Sequence, residues 1–379
     1  MKILHTSDWH VGKVLKGRSR LDEQIAALAG VIDIARQERP DLVIVAGDLY
    51  DSPQQSPEAT RVVTRALTAL RGTGADLVAI GGNHDNGSHL DALRPWADAA
   101  GITLRGRVSD KVSEHVITGT TRSGERWRCV ALPFLSQRYA VRALEMFELT
   151  EAQAQSTYAD HLARLIATLC ESFDETAVNL ITTHLTVVGG LMGGGEREAH
   201  TILSYAVPAS VFPAGTHYVA LGHLHRAQPV PGPCHVRYSG APMSIDFGET
   251  ENTPTVTIVE VTADTAARAR EVKVPVAVPL RTLRGTLAEL STVDPGDAWL
   301  RVYVTEPPRA GLREQVQELF PRALEIRVDA GSPADRPARP ARAGRSPSEL
   351  FADYLADRGS DDKATQALFD RLYDEVITS

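Results

Sequence analysis

The chain has 379 residues, a length that favours more than one hydrophobic core. Its 43% hydrophobic and 23% charged residues are typical of a globular protein. The start, Met1 to Asp8, lacks the apolar region of a signal peptide, and runs such as Leu42 to Ala46 are too short to span a bilayer, so no membrane contact is expected. Scattered cysteines (Cys129, Cys170, Cys234) favour thiols in a reducing cytoplasm.

The net charge of −8 is unevenly distributed along the chain. Residues 347–379 carry eight acids against three basic residues, a net charge of −5, which leaves −3 for residues 1–346. A negative charge argues against a nucleic-acid partner only where it lies on the surface that would meet that partner. The total charge therefore neither excludes nor supports DNA binding.

Apolar runs alternate with helical patterns through the first hundred residues. The alternation predicts a parallel sheet with crossover helices, whose ligand site lies beyond the carboxyl ends of the strands. Further strands and a long helix follow in the middle of the chain. The predicted strands are 3–4, 42–46, 77–80, 178–181, 218–221 and 256–261, and the predicted helices are about 21–36, 57–71 and 151–171.

The remainder of the chain predicts three further segments after a first domain over residues 1–275. A smaller α/β domain is expected over 276–331, with strands at 299–304 and 324–328 and a helix at about 312–320. Residues 332–346 are rich in Pro, Ala and Arg and are typical of a linker. Two short amphipathic helices are expected in residues 347–379.

Five polar clusters follow apolar runs, each where a strand is expected to end. Each cluster alone is a weak signal, because such residues commonly form turns or satisfied strand ends. Carboxylate, imidazole and amide oxygen together are ligands for Mn²⁺, Fe²⁺ or Zn²⁺ rather than Ca²⁺. Their joint occurrence at strand ends predicts one metal site. The clusters are Asp8-Trp9-His10, Gly47-Asp48, Asn83-His84-Asp85, Thr183-His184 and Gly222-His223-Leu224-His225.

The segments DWH (8–10), GDLYD (47–51), GNHD (82–85), His184 and GHLH (222–225) occur in an order that resembles the calcineurin-like metallophosphoesterases. The resemblance implies an α/β fold: a sandwich of mixed sheets flanked by helices, with a small α/β capping domain and a C-terminal helical tail. HTSDWHVGK (5–13) and YSGAPMSIDFGE (238–249) narrow the resemblance to the nuclease subunits of bacterial DNA break-repair complexes.

The resemblance implies two divalent metal ions, with Mn²⁺ the expected metal. One ion would be held by Asp8, His10 and His225, the other by Asn83, His184 and His223, and Asp48 would bridge both. With two aspartates, the site would keep a charge of about +2 to receive a phosphodiester. His84 would act as the catalytic acid with Asp85 as its orienting partner. In some relatives the position of Asp51 holds a histidine that helps to position the phosphate for exonuclease cleavage. We do not assign that role to the aspartate.

The activity implied is that of a Mn²⁺-dependent DNA nuclease. It would combine double-strand 3′–5′ exonuclease and single-strand or hairpin endonuclease activity in DNA repair, acting with an ABC-type ATPase as a homodimer within a heterotetramer. The alternative is a small-molecule or cyclic-nucleotide phosphodiesterase with the same metal site. A scaffold without catalysis is disfavoured, because every ligand position is filled.

Two further segments carry predictions about binding. Lys13, Lys16, Arg18 and Arg20 lie beside the first motif, and they form either a solvated loop or contacts to the DNA backbone. The glycine-rich segment 189–195 lacks a GK[ST] ending, so it predicts a loop near the substrate rather than a phosphate-binding loop.

The tail helices each present an apolar stripe backed by acids. Ser346 to Glu349 form a capping box that would begin the first helix. One interpretation is that the stripes pack on the core of the same chain. The other is that the linker places the helices at a distance, where they would dock on the base of the coiled coil of the ATPase. The resemblance favours docking. The residues of the stripes are Leu350, Phe351, Tyr354, Leu355, Leu368, Phe369, Leu372 and Tyr373.

Overall fold

The computed structural model describes residues 1–136, 158–196, 206–275, 278–328, 351–352, 354–355 and 363–378, with side chains up to Arg371 in the last segment. The chain divides into two compact units, Met1–Val328 and Asp329–Ser379. No described helix is long and apolar enough to cross a membrane.

The first unit contains all of the described strands and eight of the described helices. The strands are β1 (Lys2–Thr6), β2 (Val14–Leu15), β3 (Arg18–Ser19), β4 (Leu42–Val45), β5 (Asp76–Ile80), β6 (Ile102–Arg105), β7 (Val116–Thr120), β8 (Arg126–Leu132), β9 (Val178–His184), β10 (Tyr218–Gly222), β11 (Gln228–Val230), β12 (Val236–Tyr238), β13 (Thr255–Thr262), β14 (Thr265–Lys273), β15 (Leu280–Gly285), β16 (Trp299–Val304) and β17 (Ala323–Val328). The helices are α1 (Leu21–Glu38), α2 (Pro57–Arg71), α3 (Gly87–Ala92), α4 (Arg94–Ala99), α5 (Val112–His115), α6 (Tyr158–Cys170), α7 (Leu287–Leu290) and α8 (Leu312–Leu319).

Two six-stranded mixed sheets form the body of the first unit, in the orders β14-β13-β1-β4-β5-β6 and β11-β12-β10-β9-β8-β7. Strands β1, β4, β5 and β6 are parallel, as are β8, β9, β10 and β12. The pairs β1–β13, β13–β14, β7–β8 and β11–β12 are antiparallel. The parallel sheet predicted from alternation is therefore correct for the centre of each sheet, and the sheets as a whole are mixed.

The sheets pack face to face. Buried side chains from both sheets, including Ile44, Ile80, Leu180 and Tyr218, form one apolar layer between them. Helices α1 and α2 pack on the outer face of the first sheet, and α6 packs on the outer face of the second. Strands β4, β9 and β10 are continuous buried runs because both of their faces are covered. The sandwich flanked by helices is confirmed.

Local sequence explains where the helices begin and end. Ser56 lies before α2, and its side chain accepts a hydrogen bond from the Ala59 N–H while Pro57 occupies the first turn. The predicted bounds of α2 are those of the structure. The first part of the helix predicted over 151–171 lies outside the described residues, and α6 begins at Tyr158.

A small parallel sheet, β15-β16-β17, has a core of its own. Leu300, Val302 and Val304 of β16 pack with Val316 of α8 and with Phe320. Strand β16 and helix α8 lie where the sequence predicts a strand and a helix. Residues 276–277 and 329–346 lie outside the described part of the chain, so the linker and the limits of the capping domain stay predictions.

In the second unit, helix α9 (Lys363–Thr378) follows the helical residues 351–352 and 354–355. The Phe351 ring stacks on the Phe369 ring with centroids 4.1 Å apart. Tyr354 and Leu368 are 50% and 45% exposed. Leu355 is half-buried. Leu350 and the predicted capping box lie outside the described residues, as do the side chains of Leu372 and Tyr373.

Candidate metal centre

The five polar clusters of the sequence lie together at the carboxyl ends of five parallel strands. Asp8 follows β1, Asp48 follows β4 and Asn83 follows β5 in the first sheet. His184 is the last residue of β9, and His223 follows β10 in the second sheet. Because the two sheets pack face to face, both contribute to one centre, which contains all seven predicted ligands.

The backbone at four of these residues adopts left-handed φ angles: 55° at Asp8, 48° at His10, 51° at Asp48 and 103° at His223. Residues other than glycine rarely take such angles and do so at a cost in free energy. The Asp8 N–H donates to the Gly47 carbonyl and the His10 N–H to the Asp48 carbonyl, each at 3.0 Å. These bonds hold the loops after β1 and β4 together and fix where their side chains point.

Asp8, His10 and His225 form the first ligand group. Their ligand atoms lie within 4.8 Å of one another, and all three residues are buried. The two Nε2 atoms of His10 and His225 are 3.1 Å apart. The grouping is the one predicted for the first metal.

Asn83, His184 and His223 form the second group. The Asn83 Oδ1 atom lies 2.8 Å from both His184 Nε2 and His223 Nδ1. Asp48 lies between the groups, with Oδ2 3.6 Å from His10 Nε2 and 3.4 Å from His184 Nε2. A carboxylate in this position can contact two cations at once.

Hydrogen bonds outside the centre orient the imidazoles. His184 Nδ1 lies 2.8 Å from the Ala46 carbonyl oxygen, and His225 Nδ1 lies 2.6 Å from Glu249 Oε1. A proton on each Nδ1 leaves Nε2 directed at the centre, which is the tautomer that a metal-binding histidine needs. The set of carboxylate, imidazole and amide donors fits divalent metals such as Mn²⁺, Fe²⁺ or Zn²⁺.

Burial and buried charges shift the pKa values of the histidines in opposite directions. Burial lowers the pKa of His10 to about 3. Burial also acts to lower the pKa of His184, but the carboxylates of Asp48 and Asp8 and the Ala46 carbonyl together outweigh it and raise that pKa to about 9. At His225, the carboxylates of Glu249, Asp8 and Glu196 together outweigh burial and raise the pKa to about 10. The carboxylates of the centre therefore favour positive charge at His184 and His225.

His84 lies beside the bridging position. Its backbone N–H donates to Asp48 Oδ1 at 2.8 Å, and its Nδ1 lies 2.8 Å from the Asp51 carbonyl oxygen. Its ring is perpendicular to that of His10, with centroids 4.6 Å apart. A ring nitrogen also groups with His10 and Asp48. The geometry suits a proton donor, and it equally suits a further ligand.

The predicted role of Asp85 as orienting partner of His84 requires correction. The Asp85 carboxylate accepts hydrogen bonds from the backbone N–H groups of Leu49, Tyr50 and Gly82 at 2.8–3.1 Å. It therefore ties the loop after β4 to the loop after β5. The acceptor 2.8 Å from His84 Nδ1 is the main-chain oxygen of Asp51.

Asp51 supports two histidines, a role that the sequence did not predict. Its Oδ1 atom lies 3.5 Å from His10 Nδ1 and 3.1 Å from Lys13 Nζ. Burial would raise the pKa of Asp51, but the contacts with His10 and Lys13 outweigh it and lower the pKa to about 2. Asp51 ends the GDLYD motif that contains Asp48, so its position in the sequence already indicated that it lies near the site.

Glu249 and Glu196 were also missed. Glu249 is buried and accepts from the Ile245 N–H at 2.8 Å in addition to contacting His225. Glu196 accepts from the His225 N–H at 3.0 Å. Glu249 ends the YSGAPMSIDFGE motif and Glu196 follows the glycine-rich segment, so both were visible in the sequence.

The predicted DNA contacts in the basic segment have partners within the protein. Lys13 pairs with Asp51, and Lys16 Nζ lies 3.4 Å from Glu325 of the small sheet. The Arg18 guanidinium lies over the Trp299 ring, 4.6 Å from its centroid. Arg20 is only 1% exposed and pairs with Glu23, so for Arg20 the prediction is wrong. The segment attaches the small sheet to the metal-binding loop.

Comparisons with known proteins agree with this geometry. The calcineurin-like phosphoesterase model matches residues 1–227, and the model of the Type 5 capsule protein repressor C-terminal domain matches residues 276–359. The SbcD subunit of the nuclease SbcCD from Bacillus subtilis is 31% identical over 338 residues, covering 86% of this chain and 85% of the relative. The chain belongs to the SbcD family of calcineurin-like phosphoesterases.

Other relatives are consistent with SbcD membership. The SbcD subunit of the nuclease SbcCD from Escherichia coli is 30% identical over 77% of this chain and 72% of its own. A solved dimetal phosphatase from Danio rerio is 13% identical and covers 73% of this chain and 99% of its own, with a TM-score of 0.42, too low to bear on the site. The resemblance inferred from the motifs is confirmed, and the chain is a hydrolase of phosphoester bonds.

Proposed function

We propose that this SbcD-family chain is a DNA nuclease with a two-metal site. The observation that carries the proposal is the shared position of Asp48 between two ligand groups, at 3.6 Å from His10 and 3.4 Å from His184. Relatives that match most of the chain are named as nuclease subunits. Together these support phosphodiester hydrolysis in DNA over the alternative of a small-molecule or cyclic-nucleotide substrate.

When bound, two divalent cations supply the positive charge that stabilises the attacking and leaving oxygens of an in-line displacement. The residues of the chain do the remaining work. Asp8 and Asp48 limit the charge of the loaded site to about +2, which attracts a phosphodiester without holding the product too tightly. Asn83 contributes a neutral oxygen and leaves that charge unchanged.

His84 is proposed as the proton donor to the leaving oxygen. The Asp51 carbonyl next to Nδ1 fixes the ring orientation, and Nε2 is the nitrogen that would donate the proton. The Asp85 carboxylate holds the loop on which His84 lies through its three backbone hydrogen bonds. Its role is therefore to position the loop rather than to touch the substrate.

Within this function, we propose Mn²⁺ as the working metal. The activities are double-strand 3′–5′ exonuclease and cleavage of single strands and hairpins, in the cytoplasm, during the processing of DNA breaks. Mixed nitrogen and oxygen ligands support Mn²⁺ over Mg²⁺, which prefers oxygen alone.

The proposed partner is an ATPase of the SbcC type, bound by the tail of a homodimer within a heterotetramer. The relatives carry names that make them subunits of a complex. Tyr354 and Leu368 expose apolar surface in the second unit, as a docking segment requires.

The test is a gel assay on four end-labelled DNAs: linear duplex labelled at the 3′ or the 5′ end, a closed hairpin and a single strand. We expect cleavage with Mn²⁺, weak cleavage with Mg²⁺, and none with the Asp48→Asn variant. A 3′–5′ exonuclease releases mononucleotides first from the 3′ label. Hydrolysis of cyclic nucleotides with no cleavage of any DNA would establish the alternative instead.

A further inference from the structure

An exposed apolar patch lies in the glycine-rich segment that follows His184. Val188, Leu191 and Met192 are 54%, 58% and 46% exposed. Residues 185–195, LTVVGGLMGGG, contain no charged side chain. Single exposed apolar residues are common on protein surfaces, but a contiguous group indicates a binding surface.

The same segment also contains side chains that do pack inside the protein. Leu185 is 3% exposed and Val187 is 1% exposed, and both belong to the core beneath the second sheet. The segment thus buries two of its apolar residues and presents the next three to solvent. The patch is therefore exposed even though the segment that carries it is anchored in the core.

Hydrogen bonds fix the backbone of the patch. The Leu191 N–H donates to Gln228 Oε1 at 2.7 Å, and Gln228 Nε2 donates back to the Leu191 carbonyl at 2.6 Å. Asn252 Nδ2 donates to the Gly193 carbonyl at 3.0 Å. The apolar side chains therefore project from a held backbone.

The patch adjoins the metal centre. A Cβ atom at Gly193 would lie 2.9 Å from the His225 Cβ, and one at Gly190 would lie 2.6 Å from a methyl group of Leu224. Glycine is needed at both positions because the segment lies directly against the strand end that carries His223 and His225. The backbone that carries Leu191 and Met192 therefore lies against the segment that contributes His225 to the metal centre.

The chemistry of the patch decides which part of DNA it can contact. Without a cation in residues 185–195, the patch has nothing to pair with phosphate oxygens. Apolar side chains such as Leu and Met contact the faces of bases and separate stacked steps when they insert. The end of a duplex presents such a base face without prior unstacking.

We propose that Val188, Leu191 and Met192 pack against the terminal base pair of duplex DNA and part its strands, so that one strand end reaches the metal centre. The proposal rests on the nuclease function proposed above. The patch should therefore matter for the cleavage of duplex ends and not for the cleavage of single strands, since a single strand needs no separation.

The test compares the double variant Leu191→Ser/Met192→Ser with Ile25→Ser, a matched control on α1 whose side chain is 45% exposed. Three substrates are used with Mn²⁺: a blunt duplex, the same sequence as a single strand, and bis(p-nitrophenyl) phosphate, which has no base. Loss of base contacts should slow duplex cleavage by about tenfold. Single-strand and small-substrate rates should remain within about twofold, and the control should match the wild type.

A second readout reports strand separation directly. A duplex carrying 2-aminopurine at its terminal pair should become more fluorescent when it binds the wild type with Ca²⁺ in place of Mn²⁺. The double variant should bind with a smaller increase, and the conservative Leu191→Met variant should behave like the wild type.

Two results would overturn the proposal. One is equal duplex cleavage and equal fluorescence in the double variant and the wild type. The other is an equal fall on all three substrates, which would make the patch a support for His225. A wild type that hydrolyses bis(p-nitrophenyl) phosphate but cleaves no DNA would instead reject the nuclease function itself.

Discussion

Asp48 connects the two halves of the metal centre. Its side chain lies between His10 and His184, and its Oδ1 atom accepts the His84 N–H. Replacing Asp48 with Ala removes the carboxylate that the two ligand groups share. We expect nuclease activity to fall by more than the roughly 10- to 100-fold typical of a lost outer contact. Activity within tenfold of wild type, measured on protein with an unchanged circular dichroism spectrum, would disprove the bridging role.

His84 and His223 should respond differently to substitution. If His84 is the acid, His84→Gln keeps about two Mn²⁺ per chain and loses roughly 10²–10⁴-fold in turnover. His223→Ala should lose metal, because His223 Nδ1 lies with Asn83 Oδ1 in the second ligand group. Isothermal titration calorimetry counts the ions in each variant. A metal lost from His84→Gln would instead make His84 a ligand.

Glu249 should tune the first metal through His225. Its Oε1 atom lies 2.6 Å from His225 Nδ1, and the residue is buried. Glu249→Gln weakens this contact by removing the charge, and we expect Mn²⁺ affinity to fall by about 10- to 100-fold. The variant Glu251→Gln, at an exposed position, is the matched control. Equal Mn²⁺ affinities by calorimetry in the two variants would show that Glu249 has no such role.

At the residue scale, the sequence predicted which residues meet at the candidate metal centre, but not all of the residues that support them. The ligands follow apolar runs in a recognisable order, so a search for polar residues at strand ends finds Asp8, Asp48 and His184. The true partners of Asp85 are backbone N–H groups that include those of a different loop. Such contacts depend on how two loops approach in space, which no local pattern records.

Strand β1 shows how an element joins the two sheets. Its His5 is fully buried, with Nδ1 2.9 Å from the Tyr218 hydroxyl and Nε2 3.1 Å from the Leu221 carbonyl of β10. A neutral imidazole satisfies both, with Nε2 as donor and Nδ1 as acceptor. Burial in this position lowers the pKa of His5 to about 3.

His5 should make the fold sensitive to acid. In the unfolded chain His5 takes up a proton near pH 6.5, while in the fold it does so only near pH 3. Stability is therefore lost as pH falls from about 6.5 towards 3, by up to about 1.4 kcal/mol per pH unit for this proton. Urea unfolding of wild type and His5→Asn at about pH 7.5, 6 and 5 measures the slope. Equal slopes in the two proteins would contradict this assignment.

At the element scale, long periodic or continuous apolar runs were predictable. Helix α2 and strand β16 were placed within a residue of their bounds, because a cap or a buried run marks each end. The short strands β11 and β12, at one end of the second sheet, were not predicted, since three residues give no period to detect. The antiparallel strands at the sheet edges form where the chain reverses direction, and a local sequence pattern does not show which strands then pair.

At the scale of the whole molecule, the small sheet meets the metal-binding loop through Trp299. Its ring lies against the guanidinium groups of Arg18 and Arg322, at 4.6 and 4.4 Å, and its Nε1–H donates to Glu23 at 2.7 Å. Residues 18 and 299 are far apart in sequence, so the basic segment was interpreted as either a solvated loop or a DNA contact. Only the tertiary structure gives those cations partners within the protein.

The tail supplies a prediction about assembly. A chain ending at Arg345 lacks the whole apolar stripe, including Phe351 and Phe369, whose rings stack on each other in the second unit. We expect the shortened chain to keep Mn²⁺-dependent cleavage and to fail to co-purify with the ATPase. Wild-type affinity for the ATPase, or unfolding of the shortened chain, would show that the tail is not the docking element.

The central claim is that one chain holds two metal ions, and the anomalous difference map of a crystal soaked in Mn²⁺ tests it most directly. We predict two peaks about 3.5–4 Å apart. One should be bounded by Asp8, His10 and His225, the other by Asn83, His184 and His223, with Asp48 touching both. A single peak, or a second peak away from these side chains, would contradict the two-metal site.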